Sequence, residues 1–358
     1  KESNDSFSNA QLITLGDTIS GRTSESFDFD YYKFISNDDG KININFNSLE
    51  TDKTTCGTWS LFLYGPNEEE IGMATVDVTD TSTVVLPFIG AKAGNYYYLL
   101  VYPGPRFASG HSYKIRTSFT KGKYYEKEVN NTEATAGKLI LANNYVGTIG
   151  ADFQDGDFNE IYDRDYYHIK APAKGTMTVT FKHKKKTPQY TSGWNVVLYK
   201  HHNGGNLSLS ESSILMDSAA SKTLYKATVA KNAEFWLNIY SIYDGCRTNI
   251  PSDIVGEPYT ISSTFVLAAK PKITVKTTKN SVTMTSKKLA DITGYEIQIK
   301  SGKKFKKLKT TKGKALKYTK NGLKKSTKYT FRVRAYLKKD GTKYYGKWVT
   351  FTAKTKPK

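Results

Sequence analysis

Cysteine is nearly absent from this sequence: its 358 residues include two, Cys56 and Cys246. That count rules out a disulfide-dense scaffold, and neither residue lies in a CxxC or Cys/His cluster of the kind that holds structural zinc. The two are either free or bridge two domains. Long apolar runs are also missing, so no membrane-spanning helix is expected. No signal peptide opens the chain. Its abrupt start at "KESND" implies that any targeting segment was removed or lies outside this sequence. Catalytic signatures are missing as well: there is no GxSxG, no HExxH, no phosphate-cradling glycine loop and no Cys/His nucleophile pair. The five histidines (His111, His168, His183, His201, His202) are scattered, and "HHNGG" at 201–205 reads as a polar hairpin tip. A non-enzymatic chain is the expectation.

Sustained helical periodicity is hard to find, whereas period-2 runs recur: "INFNS", "WSLFLYG", "YYYLLVYP", "MTVTFKH", "FWLNIYS" and "YTFRVRAY". Aromatics make up 13% of the chain, with 26 Tyr, and such residues suit a pleated surface. The chain therefore reads as all-β, and its length suits two or three domains. Charge divides it. Residues 269–358 carry 28 Lys and Arg against three acids (Asp291, Glu296, Asp340), a net +25; residues 1–268, with 25 basic and 30 acidic residues, come to −5. A break this sharp marks a boundary near "LAAKPKI" at 267–273. The basic segment either attracts an anionic partner (a wall polymer, a glycosaminoglycan, a membrane surface) or serves solubility.

An internal repeat organises the rest. "DFDYYKF" at 28–34 returns as "DRDYYHI" at 163–169, and "WSLFLY" at 59–64 as "WNVVLY" at 194–199. "NYYYLLVYP" answers "AEFWLNIYS", and "GHSYKIRTSF" at 110–119 answers "GEPYTISSTF" at 256–265. Two homologous β-sandwiches, 1–120 and 121–268, follow.

The Glu-x-Asn-Asp/Asn opening, the Gly before an acidic turn, Asp-Tyr-Tyr-x-Phe/Ile and the late "YxLxVY" and "GxxYxI" resemble the bacterial pre-peptidase C-terminal domain. That family of jelly-roll sandwiches occurs in secreted proteins and includes the collagen-binding modules of clostridial collagenases. The last segment, 269–358, resembles a fibronectin type III domain through "ITGYEIQI", "LKKSTKYTFRVRAY" and "GKWVTFTAKT", with Tyr329, Phe331, Val333 and Ala335 on its alternating strand. It departs from that family where a core Trp is usual, since "VTMTSKK" offers Ser286 there, and other residues must fill the space.

The first resemblance implies calcium, held by the N-terminal Glu/Asn/Asp segment and the acidic turn. Carried over, the first copy offers Glu2, Asn4, Asp5 and Asp30, and the second Glu126, Glu128, Asn130 and Asp165. Both copies depart from the family where an acid three residues earlier is replaced by Phe27 and Tyr162. Asp28 and Asp163 lie one residue off, and on a regular strand they share a face with Asp30 and Asp165. The other reading of these acids is a turn cap bonded to backbone amides. A second acidic loop, "DGDFNE" at 155–160, begins with calcium-loop spacing, but Glu160 stands where such loops need Gly.

In the aromatic strands, Tyr97, Leu99 and Val101, like Phe235, Leu237 and Ile239, are expected to face the core. Alternation then turns Tyr98 and Tyr102, and likewise Trp236 and Tyr240, to the other face beside Arg106 or Arg247. That face either stacks on a sugar ring or partner protein, or is covered by a loop or neighbouring domain. The expectation is a monomeric, secreted or cell-surface bacterial module that binds a host extracellular protein, a glycan or an anionic wall polymer, with no nucleic acid partner. The alternative is a structural spacer in a larger extracellular enzyme or surface protein.

Overall fold

The computed structural model describes residues 3–23, 28–52, 57–104, 110–150, 153–154, 160–161, 163–188, 191–242 and 254–357. Glu2, Cys56, Arg106, Cys246, Arg247 and the loop 155–159 lie outside the described residues. Among the described residues every regular element is a strand, and the fold is all-β.

The first sandwich pairs two sheets in a jelly-roll arrangement. One runs Gln11–Leu12, Asp30–Ile35, Tyr96–Pro103, Thr58–Tyr64, Glu70–Asp77; the other runs Thr18–Arg22, Ser112–Lys121, Gly40–Ser48, with Val84–Val85 and Ile89–Ala91 on the last of these. Strict alternation in "GKININFNS" buries Ile42, Ile44 and Phe46 completely and turns Lys41, Asn43, Asn45 and Asn47 outward. Each such side chain contributes on the order of 1.5–3 kcal/mol by leaving water.

The second sandwich repeats this order. Gly137–Leu139, Arg164–Lys170, Glu234–Ser241, Gly193–His202 and Gly205–Leu215 form one sheet. Ser221–Val229, Gly175–His183, Tyr259–Leu267 and Asn144–Gly147 form the other. Register is kept too: Asp30 faces Val101 as Asp165 faces Ile239. Each core is centred on the same ring trio, Phe46–Trp59–Tyr113 in the first and Phe181–Trp194–Tyr259 in the second, with centroids 5.2–5.7 Å apart where the trio's rings meet.

The last sandwich has its own core around Met284, Tyr295, Ile297, Phe331 and Val333. Tyr295 fills the space where the usual Trp is missing: it is fully buried, its hydroxyl donates to the Lys314 carbonyl at 2.7 Å, and it lies 3.1 Å from the Ser286 hydroxyl. This unit is joined to its neighbour through the sheet itself. Tyr259–Leu267 pairs in parallel with Thr342–Gly346, Val266 against Tyr345 and Leu267 against Gly346, so one sheet crosses from the second sandwich into the third. Tyr344 on that hairpin packs into the core of the second sandwich and is 3% exposed.

Candidate metal centre and aromatic faces

Each of the first two sandwiches buries a tyrosine pair against one aspartate. Alternation along Asp30–Ile35 points Asp30, Tyr32 and Phe34 inward, and the facing sheet supplies Tyr113. The Tyr113 hydroxyl donates to Asp30 Oδ2 at 2.5 Å and lies 2.7 Å from the Tyr32 hydroxyl. Asn4 Nδ2 donates to Asp30 Oδ1 at 2.9 Å, and the Asn4 carbonyl accepts the Tyr31 amide at 2.8 Å. The second sandwich repeats the arrangement. Tyr259 donates to Asp165 Oδ2 at 2.6 Å and lies 2.8 Å from the Tyr167 hydroxyl, while the Asn130 carbonyl accepts the Tyr166 amide at 3.0 Å. A glycine makes the close passage possible in both copies. A Cβ at Gly21 would sit 2.2 Å from the Tyr113 ring, and one at Gly147 would sit 2.3 Å from the Tyr259 hydroxyl and 2.6 Å from Glu126 Oε2.

Among the described residues the second copy gathers more acids. Glu126 Oε1 accepts Asn130 Nδ2 at 3.0 Å and the hydroxyls of Tyr167 and Tyr259 at 2.9 and 3.0 Å; its Oε2 accepts the Thr148 amide at 2.9 Å. Glu128 Oε2 accepts the Asn130 amide at 3.2 Å. Oxygens of Glu126, Glu128 and Asp165 lie within 4.8 Å of one another, the one such carboxylate or imidazole trio among the described residues. Asp163 stands beside them, its Oδ2 accepting the Gly150 amide. Burial, then the charges of Asp163 and Glu126, push the Glu128 carboxyl well up; burial, then Glu126, do the same to Asp165.

This donor set fits a hard divalent cation. Two oxygens bound to calcium at 2.3–2.6 Å lie no more than about 5 Å apart, a limit the trio meets. Asn130 Oδ1 and Asp165 Oδ1 are buried without a hydrogen-bond donor, a costly state that a cation would relieve. The two tyrosines supply two protons to four contacts among Tyr167, Tyr259, Glu126 and Asp165, so the cluster needs a carboxyl proton or a cation to complete it.

In the first copy the structure brings together Asn4, Asp28 and Asp30, all buried, and leaves Asp5 exposed. Asn4 Oδ1 is likewise without a donor. The Asp30 carboxyl is pushed up by burial and by Asp28, against hydrogen bonds from Tyr113 and Asn4 that lower it. Among the described residues fewer acids gather here than in the second copy, and Glu2 lies outside them. The buried tyrosines were not singled out as site residues from sequence, although both final ones lie in the matched segments "GHSYKI" and "GEPYTI".

Tyr97, Leu99 and Val101 face the core as expected, as do Phe235, Leu237 and Ile239. On the opposite face Tyr98, Tyr102, Trp236 and Tyr240 are half-buried, but their surroundings differ. In the first copy the chain's own aromatics close over the strand: Phe7 packs edge-on against Tyr31, Tyr64 and Tyr98 at 4.8–5.2 Å, and Phe29 stacks on Tyr102 at 4.8 Å. In the second copy Trp236 lies between His168 at 5.0 Å and His201 at 4.1 Å, and the Arg164 guanidinium covers Tyr240 at 5.0 Å. Between them Asn238 is 8% exposed, and its Oδ1 has no donor where the first copy has Leu100. The second face is thus the more polar of the two, and Lys200, His201, Tyr225, Asn232 and Glu234 line a groove beside Trp236.

Residues 269–352 match the family model of the fibronectin type III domain. Among solved structures the chain is similar to the pre-peptidase C-terminal domain of collagenase from Bacillus anthracis, at 18% identity over 30% of this chain and 94% of that one, with a TM-score of 0.22. It is also similar to a fibronectin type III domain of human fibronectin type III domain containing protein 3, at 28% identity over 24% of this chain and 84% of that one, TM-score 0.19. A two-domain fibronectin type III segment of chicken tenascin covers 54% of this chain and 98% of its own length at 16% identity and TM-score 0.25. No curated protein matches the chain. Both families named from the sequence are therefore represented among these similarities. Among the described residues no helix is long and apolar enough to cross a membrane.

Proposed function

We propose that the chain is a non-catalytic, secreted or cell-surface bacterial binding module of three units, 1–120, 121–268 and 269–358. In this reading calcium at Glu126, Glu128, Asn130 and Asp165 stabilises the second unit, and a host extracellular protein or glycan is held on the outer aromatic face around Trp236 and Tyr240. The observation that carries the reading is the trio of carboxylates beside two buried oxygens that lack donors. When bound, calcium supplies the positive charge that this pocket lacks; Glu126 and Asn130 hold the entry segment of the second sandwich against the strands bearing Asp165 and Tyr259. Face chemistry favours the second copy for ligand, because aromatic anchors with polar neighbours suit recognition better than a face covered by its own side chains. Retention on immobilised collagen and on mucin glycans, in calcium and in chelator, tests it. Trp236→Ala is expected to lose most retention and Tyr98→Ala little; equal retention of a folded Trp236→Ala variant removes this face from the account.

A spacer role is favoured by a separate observation. The continuous sheet between the second and third sandwiches suits a part that holds others at a fixed distance. A spacer shows no retention on either matrix.

A further inference from the structure

The outer face of the last sandwich gathers part of this unit's positive charge into an ordered ladder. Arg332 and Arg334 point out of the strand Lys328–Lys339 and interleave with aromatic rings. The Arg332 guanidinium lies 4.2 Å from the Phe305 ring and 4.3 Å from Trp348, and that of Arg334 lies 4.3 Å from Trp348 and 3.6 Å from Tyr345. Each is also pinned edge-on. Arg332 donates twice to Gln298 Oε1 at 2.9 and 2.6 Å, Arg334 donates twice to Glu296 Oε2 at 3.0 and 2.7 Å, and Gln298 Nε2 donates to Glu296 Oε1 at 3.0 Å. These bonds use Nε and Nη2 and leave Nη1 outside them.

Strand register places further cations on the same face. Lys307 lies opposite Gln298, Lys300 opposite Phe305, and Lys328 opposite Lys354 in phase with Arg332. Against Lys300, Lys307, Lys328, Arg332, Arg334 and Lys354 this face sets one acid, Glu296, already engaged by Arg334. The other sheet of this unit turns mainly threonines outward, with Lys276 and Lys317. Positive charge is therefore concentrated on one sheet. The sheet face, though not its charge, runs on past the domain edge: Tyr345 pairs with Val266, and the neutral Thr264, Thr176 and Thr178 of the second sandwich follow.

We infer that this face is a docking surface for a sulfated polysaccharide, which rests on the reading of the chain as a binding module and names its anionic partner. Charge complementarity and shape both favour that partner. Planar guanidiniums held by stacking lose little rotamer freedom when sulfate oxygens meet Nη1, whereas free lysines pay for that order. The edges of Phe305, Trp348 and Tyr345 present apolar rims to sugar rings, a surface that a flexible polyol-phosphate chain has no ring to use. Lys328 to Arg334 alone spans roughly 20 Å of strand, room for several anionic groups.

The test is affinity of the full chain for heparin as a function of salt. Lys300→Gln/Lys307→Gln, on the ladder face, is compared with Lys276→Gln/Lys317→Gln, which removes equal charge from the other sheet. The ladder-face pair is expected to weaken binding about tenfold and flatten its salt dependence, and the control pair less than about twofold. Arg332→Lys, checked for folding by its melting curve, keeps the charge and loses the fork, and is expected to weaken binding as well. Equal losses from the two pairs would overturn the ladder as the site while leaving a polyanion-binding module standing. Retention on teichoic acid but not on heparin overturns the sulfated partner, and wild-type chain that leaves both matrices below physiological salt overturns the polyanion reading with it.

Discussion

Replacing Glu70 by glutamine should abolish the pH response of the first sandwich. Glu70 starts the strand Glu70–Asp77 opposite Tyr64, and its Oε1 is buried without a hydrogen-bond partner. Burial pushes its carboxyl from 4.5 up to about 7. The folded state therefore holds a proton that the unfolded chain has released across the window from 4.5 to 7. Stability is full below the unfolded value and falls as pH rises through the folded one. At 1.36 kcal/mol for each tenfold change in proton affinity, and with solvent screening of this partly exposed side chain, the loss amounts to about 1–2 kcal/mol by pH 8. Gln has nearly the same shape and no proton to lose, so the variant should show no such slope and exceed wild type above pH 7. Amide exchange in the strand Gly40–Ser48, at the heart of this core, reads the unit separately from its neighbours. Protection factors there should drop about tenfold between pH 5 and pH 8 in wild type and stay level in Glu70→Gln. Parallel slopes in the two proteins refute the reasoning, because another group would then carry the titration.

Further outcomes follow from packing. Gly147→Ala drives a methyl into Tyr259 and Glu126, so it should destabilise the second sandwich by about 1–3 kcal/mol and weaken calcium binding, read by urea unfolding in the two metal states. Tyr344→Ala lies within the fibronectin type III segment, yet it should cost about 3–5 kcal/mol in the second sandwich, seen as exchange in the strand Gly175–His183 rather than in Gly294–Ser301. On the outer faces, Phe7→Ala should expose Tyr98 and Tyr64 to solvent and raise their nitration rate, whereas Tyr240 should be unaffected.

Much of the fold was legible because strand alternation and the repeat carry it. "GKININFNS" and "YYYLLVYP" name their buried faces by period, and the return of matched segments in order foretold a second sandwich. What local pattern could not show was who meets whom across the two sheets. Glu126 precedes its partners Tyr167 and Tyr259 by 41 and 133 positions, so its place as the hub of the acidic pocket emerges only in three dimensions. The same holds for Tyr344, whose alternation is that of its own hairpin but whose contacts are those of the neighbouring core. The paired platforms looked alike in sequence. They separate because Phe7 and Phe29 reach over the first from outside the aromatic strand, while the second has imidazoles, Arg164 and Asn238. Arg332 and Arg334 stood in view in "YTFRVRAY", but their ladder needs Phe305 and Trp348 from other strands.

The most direct test of the central claim is a calcium titration of thermal unfolding on the wild-type chain and on Asp165→Asn. For an affinity of about 0.1 mM, in the range of extracellular calcium modules, 10 mM calcium should add about 2.7 kcal/mol to the second sandwich and raise its melting temperature by roughly 5–10 °C. Asp165→Asn removes one ligand charge and should abolish most of that gain while keeping its fold. A melting curve that is the same in 10 mM calcium and in chelator contradicts the account, and so does an equal gain in the variant.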